Sequence, residues 1–276
     1  WLNWEARRAH LLGFGITFCW LMVPETEVTS VRAEEYRQTF EEATTRIAAL
    51  ASGNGDRPVP HIADWTLADA VTHAGLVFSF VAKSVSQGAP IGDGGVAPWA
   101  NDPANRPHTT QLSDWFQTAA HEMIEVLWRY DSNDEVWTSS RNTSQAVFWM
   151  RRMTHEATVH RWDIEAVTAE QTAINAAVAV DGINEFYDFF VSERLPTAFA
   201  GVGTVHLHAT DADGEWMITR RKDGIDVESA HGKGDVAARG PAGDLLLFVW
   251  NRIHHTTLET FGDTDLLDDH QRLLQV

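Results

Sequence analysis

The chain has 276 residues, enough for one large domain or two ordinary ones, and its 44% apolar and 22% charged content lets it bury a core. With 39 acidic and 21 basic residues the net charge is −18, which argues against a nucleic-acid backbone or an anionic membrane surface as partner. One cysteine excludes a disulfide framework and a cysteine-rich zinc finger, whereas 13 histidines offer many metal ligands.

Residues 1–30 read as a doubtful leader. Residues 11–23, LLGFGITFCWLMV, follow Arg7 and Arg8 and look like a signal-peptide core, too short to span a bilayer. No A-x-A-like cleavage site comes after them. The preferred reading is upstream sequence, a natural start at Met22, and a cytoplasmic protein. Cys19 lies in this stretch, so from Met22 onward the chain carries no thiol.

The first helix is expected over Val31 to Ala51, where Tyr36, Phe40, Ile47 and Leu50 recur near helical spacing. A loop rich in Gly, Pro and Asp follows. Thr66 and Asp69 form a T-x-x-D capping box that opens a second helix running to about Gln87. Gln87 to Thr110 reads as a long Gly-, Pro- and Asn-rich loop. Further helices are expected at about Leu112 to Tyr130, Gln145 to Val167 and Ile174 to Arg194.

After Pro196 the period changes to two. GTVHLHATD and GEWMITRRKDG read as strands, and IDVESAHG with KGDVAARG as another strand pair or hairpin. Gly243 to Ile253 is an apolar helix, HTTLETFGD a strand or turn, and DLLDDHQRLLQV a closing helix. The expected fold is a metal-binding helical bundle over 31–195 and a small α+β domain over 196–276. Neither dinucleotide nor P-loop glycine patterns occur, nor a G-x-S-x-G elbow.

Chemistry concentrates in residues 151–163, RRMTHEATVHRWD. Glu156 and His160 are four apart, so in a helix they share a face and can chelate one metal. An exposed i,i+4 pair would show the same spacing. His155 points elsewhere, and the sequence is not H-E-x-x-H, so simple zincin logic does not apply. A third ligand must come from another helix. His73, in the apolar stretch AVTHAGLVF, and His121, at the head of HEMIE, are the candidates.

These segments resemble the mycothiol-dependent maleylpyruvate isomerase family. DWTLADAVTHA (64–74) is similar to its "GWT-x-x-D-L-x-x-H", and MRRMTHEATVHRWD to its "RR-x-x-HE-x-x-x-HRWD". AVDGINEF (179–186), RGPAGDLLLFVWNR and GDTDLL resemble later family segments in the same order, over about residues 31–276. Where the family pattern has Pro-Gly before the tryptophan, this chain has Ala63-Asp64, and where it has W-G-R the glycine is Asn251.

The resemblance implies a DinB-like bundle, a C-terminal domain similar to sterol carrier protein 2, and zinc held by His73, Glu156 and His160. It implies that Arg252 contacts substrate, and that mycothiol takes the open zinc position as a thiolate. The thiolate would add to the double bond of maleylpyruvate, allow rotation and leave. If it stayed attached to an electrophile, the enzyme would be a mycothiol S-transferase. The partners are then a small-molecule thiol and an electrophile, with no nucleic acid and no membrane. Asp163 and Asp69 are candidate acceptors behind the ligand histidines. Trp65 and Trp162 are expected to pack rather than bind. The alternatives are a zinc hydrolase using metal-bound water, and a non-catalytic zinc-binding regulatory protein.

Overall fold

A computed structural model describes residues 32–53, 55–92, 95–168, 170–194, 202–222 and 224–274. The leader expected over 1–30 and Cys19 lie outside the described residues. The first half is helical: α1 (Ala33–Leu50), α2 (Leu67–Gln87), α3 (Val96–Asn101), α4 (Leu112–Leu127) and α5 (Ala146–Ala166).

Helix α2 begins where the capping box sets it. The Thr66 side chain accepts from the Asp69 amide, and Asp69 accepts from the Thr66 amide at 2.9 Å. It ends at Gly88, whose φ of 71° is the left-handed conformation that glycine adopts without a Cβ clash. Helix α1 packs on α4 and α5, and α2 on the same two helices. Their apolar faces, with Phe40, Ile47, Leu67, Phe78, Phe116, Met123 and Trp149, make one core. Gly75 leaves room on α2 for the Trp115 ring of α4.

The stretch 87–110 is not the plain loop its composition predicts. It holds α3 and two short 3-10 turns, Pro103–Asn105 and Thr109–Gln111. The apolar positions Val96, Ala97 and Ala100 are buried, but six residues are too few to show a period.

Helix α6 (Ala176–Glu185) opens on Asn175, whose side chain accepts from the amides of Ala177 and Val178. It continues as a π-helical segment, Phe186–Arg194. Then come β1 (Gly203–Ala209), β2 (Glu215–Arg221), β3 (Gly224–Glu228), β4 (Val236–Gly240), α7 (Ala242–Val249), β5 (Glu259–Gly262) and α8 (Asp265–Leu273). The five strands form one sheet in the order β3-β2-β1-β4-β5. β1 is antiparallel to β2 and parallel to β4.

Of the expected strand pair or hairpin, both strands form, as β3 and β4, but they do not pair with each other. Residues 229–235 cross the sheet instead, so that β4 lands beside β1. The physical reason is burial. β4 carries Val236 and Ala238, both fully buried, and belongs in the sheet interior, whereas β3 is a half-exposed edge. One face of the sheet, with Val205, Leu207, Trp216 and Ile218, packs in a second core with α6 and α7. Among the described residues no helix is long and apolar enough to cross a membrane.

Candidate metal centre

Helix α5 is buried on nearly every side and yet carries Arg152, His155, Glu156, His160, Asp163 and Glu165 inside the protein. Buried charges need partners, and each pairing fixes a side chain. His155 faces away from the ligand pair, with Nε2 2.8 Å from Asp181 Oδ2. Asp181 also accepts from Tyr36 and Arg151.

The other face brings His73 from α2 to Glu156 and His160. His73 Nε2 lies 3.2 Å from Glu156 Oε1, and His160 Nε2 lies 3.3 Å from the same oxygen. Donors on a tetrahedral zinc with bonds of about 2.0–2.1 Å stand about 3.3 Å apart. Both pairs that include Glu156 Oε1 already stand at that separation. All three ligand atoms lie within 4.8 Å of one another. His121 is on the exposed face of α4 and is not in this group.

Two of the donors are held from behind. Glu156 keeps Oε1 for the site because Arg152 Nη2 donates to Oε2 at 3.0 Å. Arg152 also donates to Glu185, and its guanidinium lies over the Phe190 and Trp250 rings at 5.0 and 5.4 Å. His160 directs Nε2 inward because Nδ1 pairs with Asp163 Oδ2 at 3.1 Å. The Trp65 ring lies 5.0 Å from that of His73 and 6.2 Å, nearly parallel, from that of His160. Trp162 packs on His61 instead. Asp69 serves the start of α2.

Arg252 belongs to this arrangement through Asp163. Its Nε and Nη2 donate to the Asp163 carboxylate at 2.9–3.2 Å, and Nη1 donates to the Trp250 carbonyl at 2.8 Å. The C-terminal domain thus reaches back to orient a histidine on α5.

The electrostatics match a site built for a cation. Burial pushes His73 below the usual histidine range, toward the neutral form that ligates metals. Burial also opposes charge on His160, but Glu156 and Asp163 outweigh it and raise this histidine to about 9. Burial opposes charge on Glu156 too, yet the His160 charge and the surrounding hydrogen bonds hold it well below the usual carboxylate range. Burial likewise works against the charge on Asp163, and Arg252 is the main reason that this carboxyl nevertheless stays low. The two carboxylates favour positive charge at His160, and a dication in the site would take its place.

The profile of the mycothiol maleylpyruvate isomerase N-terminal domain matches residues 36–165, and that of the MDMPI C-terminal domain matches residues 177–269. The chain belongs to the mycothiol maleylpyruvate isomerase family. Its fold is similar to the crystal structure of the mycothiol-dependent maleylpyruvate isomerase, at 15% identity and a TM-score of 0.60, covering 83% of this chain and 92% of that one. A histidine-to-alanine mutant of that enzyme matches with the same coverage and TM-score at 13% identity. No curated protein sequence matches the chain.

Both departures from the family's motifs fall at left-handed backbone positions. Asp64 has φ of 65° and Asn251 φ of 59°, so each stands in the left-handed region where the pattern has glycine. Asp and Asn enter that region more readily than other side chains. The turn after α7 closes through the Arg252 amide on the Leu247 carbonyl at 2.8 Å, and Arg252 leaves it toward Asp163.

Arg152 and Glu185 are not singled out by the sequence reading. A signal for the first is there: Arg152, Glu156 and His160 form an R-x-x-x-E-x-x-x-H stripe along one helix face.

Proposed function

We propose that this chain is a zinc enzyme that uses mycothiol against an electrophilic carbon, as a maleylpyruvate isomerase-like cis-trans isomerase or as a mycothiol S-transferase. The observation that carries the reading is the donor set His73, Glu156 and His160, in which both histidine nitrogens stand at tetrahedral spacing from one Glu156 oxygen and Glu156 and His160 are each held on the far side by a neighbour. A zinc ion held by two histidines and one glutamate supplies an exchangeable fourth position and a charge that favours thiolate over thiol.

The protein's own groups do the rest. Glu156 supplies one negative charge, and Arg152 keeps it from turning both oxygens inward. Asp163 holds His160 in the tautomer that presents Nε2. Arg252 positions Asp163. It has five N–H donors, and Asp163 and Trp250 leave hydrogens on both terminal nitrogens for a substrate carboxylate. Trp65 packs over both ligand rings and keeps water from one side of them.

The test is a thiol-consumption and isomer-conversion assay with maleylpyruvate and a panel of simple electrophiles. Turnover is expected only with both zinc and mycothiol, and is expected to vanish in His73→Ala. Turnover without any thiol would favour a hydrolase using metal-bound water. Failure of the zinc protein to bind mycothiol at millimolar concentration would favour a regulatory role.

A further inference from the structure

The sheet face turned away from α6 and α7 carries a second group of metal-ligand side chains. Strand period two puts His206 and His208 of β1 on that face, while Val205 and Leu207 enter the core. Glu215 of β2 stands directly opposite His208 in the antiparallel register. The crossing segment 229–235 then brings His231 over the same face. Its path is anchored. The Asp235 carboxylate accepts from the Thr204 amide and hydroxyl, each at 2.8 Å. A Cβ on Gly234 would meet the carbonyls of Val236 and Thr204 at 2.8 and 3.1 Å, so only glycine fits there.

The three imidazoles surround one carboxylate, with ring centroids 5.8–6.5 Å apart. His231 Nδ1 lies 3.0 and 3.1 Å from the two Glu215 oxygens, and His208 Nδ1 pairs with the same carboxylate. His206 is only 6% exposed, yet its Nε2 has no hydrogen-bond partner and stops 3.8 Å from Glu215 Oε2. A buried ring nitrogen aimed at a carboxylate but outside hydrogen-bond distance calls for a further partner, and an ion among these donors would supply it. The four donor atoms all lie within 4.8 Å of one another.

We propose that His206, His208, Glu215 and His231 form a second metal site, specific for a divalent first-row transition ion and filled by zinc. Imidazole and carboxylate donors suit zinc rather than a soft monovalent ion. Four protein ligands close a tetrahedron, so this site is structural, with no position for a thiol. It ties the β3–β4 crossing to the strands beneath it.

The experiment is a zinc chloride titration of the metal-free full chain, with bound zinc counted after gel filtration. Two equivalents are expected. His206→Ala combined with His208→Ala should bind one, and His73→Ala should also bind one, a different one. Because the double change touches a buried position, His231→Ala is the second variant: its side chain is 81% exposed. It should keep the fold by circular dichroism and weaken the second equivalent by at least roughly tenfold, since even partners behind a ligand cost that much. Cobalt substituted at this site should give a tetrahedral visible spectrum that added thiol leaves unchanged. A single equivalent in the full chain, abolished by His73→Ala, would overturn this site and leave the bundle site standing. A single equivalent abolished by the His206/His208 double change would support this site and remove the bundle site. Two equivalents retained in the double variant would overturn the proposal.

Discussion

The two His/Glu groups use the same side chains in different settings. In the bundle, Glu156 has its second oxygen held by Arg152, and His160 has its second nitrogen held by Asp163. Those holders are held in turn, Arg152 by Glu185 and Asp163 by Arg252 of the C-terminal domain. On the sheet, Glu215 is shared between His208 and His231, and His206 Nε2 has no hydrogen-bond partner. The bundle site is oriented by surrounding charges and offers three donors. The sheet site is oriented by strand register and an anchored crossing and offers four. The difference teaches that donor count follows from what positions the donors. A helix face supplies two ligands and needs outside groups to aim them, whereas a pleated face and its crossing can close a tetrahedron alone.

The largest expected effect separates the two sites outright. His73→Ala or Glu156→Gln should reduce bundle zinc from one equivalent to near none while the sheet equivalent stays, as read by elemental analysis of the purified variants. Loss of both equivalents together would mean that the two groups are not independent.

Next in size is Arg152→Ala. It strips the partner from two carboxylates, Glu156 and Glu185, each at most 6% exposed. Removing one member of a buried ion network costs about 3–5 kcal/mol. Urea unfolding of the metal-free protein should show a loss of that order, together with weakened zinc binding at the bundle site alone. An unchanged midpoint would mean that water reaches those carboxylates.

Asp163→Asn should act more gently. It leaves all three donors in place and loosens only His160, so a zinc affinity loss of about 10- to 100-fold is expected. Arg252→Gln should move the affinity in the same direction by a smaller factor, because it acts through Asp163. If Arg252→Gln lowered turnover with zinc affinity unchanged, its role would be contact with substrate alone.

A further handle is pH. The proton on His160 must leave before its Nε2 can donate, and this histidine is raised to about 9. Below that pH, zinc displaces a proton, so apparent affinity at the bundle site should climb by up to about tenfold per unit as pH rises toward 9, then level off. Competition titrations at pH 7, 8 and 9 should show the bundle site strengthening. A flat response at the bundle site would mean that His160 is already neutral at pH 7.

Much of the bundle was legible because its signals are local. The T-x-x-D box placed the start of α2, and the i,i+4 spacing placed Glu156 and His160 on one face. That spacing could not choose between His73 and His121, since the choice depends on which helix packs against α5; the family motif singled out His73. The sheet was harder to read. Alternation gives the strands and shows His206 and His208 side by side, but Glu215 and His231 join them only through pairing register and a crossing that composition does not encode. The change of pattern after Pro196 marks where strands begin, whereas α6 already packs in the second core through Ala179 and Ile183. The family motif drew attention to Arg252, but its grip on Asp163 spans 89 positions and needed the fold.

The most direct test of the central claim is zinc X-ray absorption on the chain carrying His206→Ala, His208→Ala and Cys19→Ser, so that the bundle holds the counted zinc and the chain offers no thiol. With mycothiol added, the account predicts one sulfur scatterer at about 2.3 Å beside nitrogen and oxygen neighbours, absent before addition. A shell of nitrogen and oxygen alone, unchanged at saturating mycothiol, would contradict it.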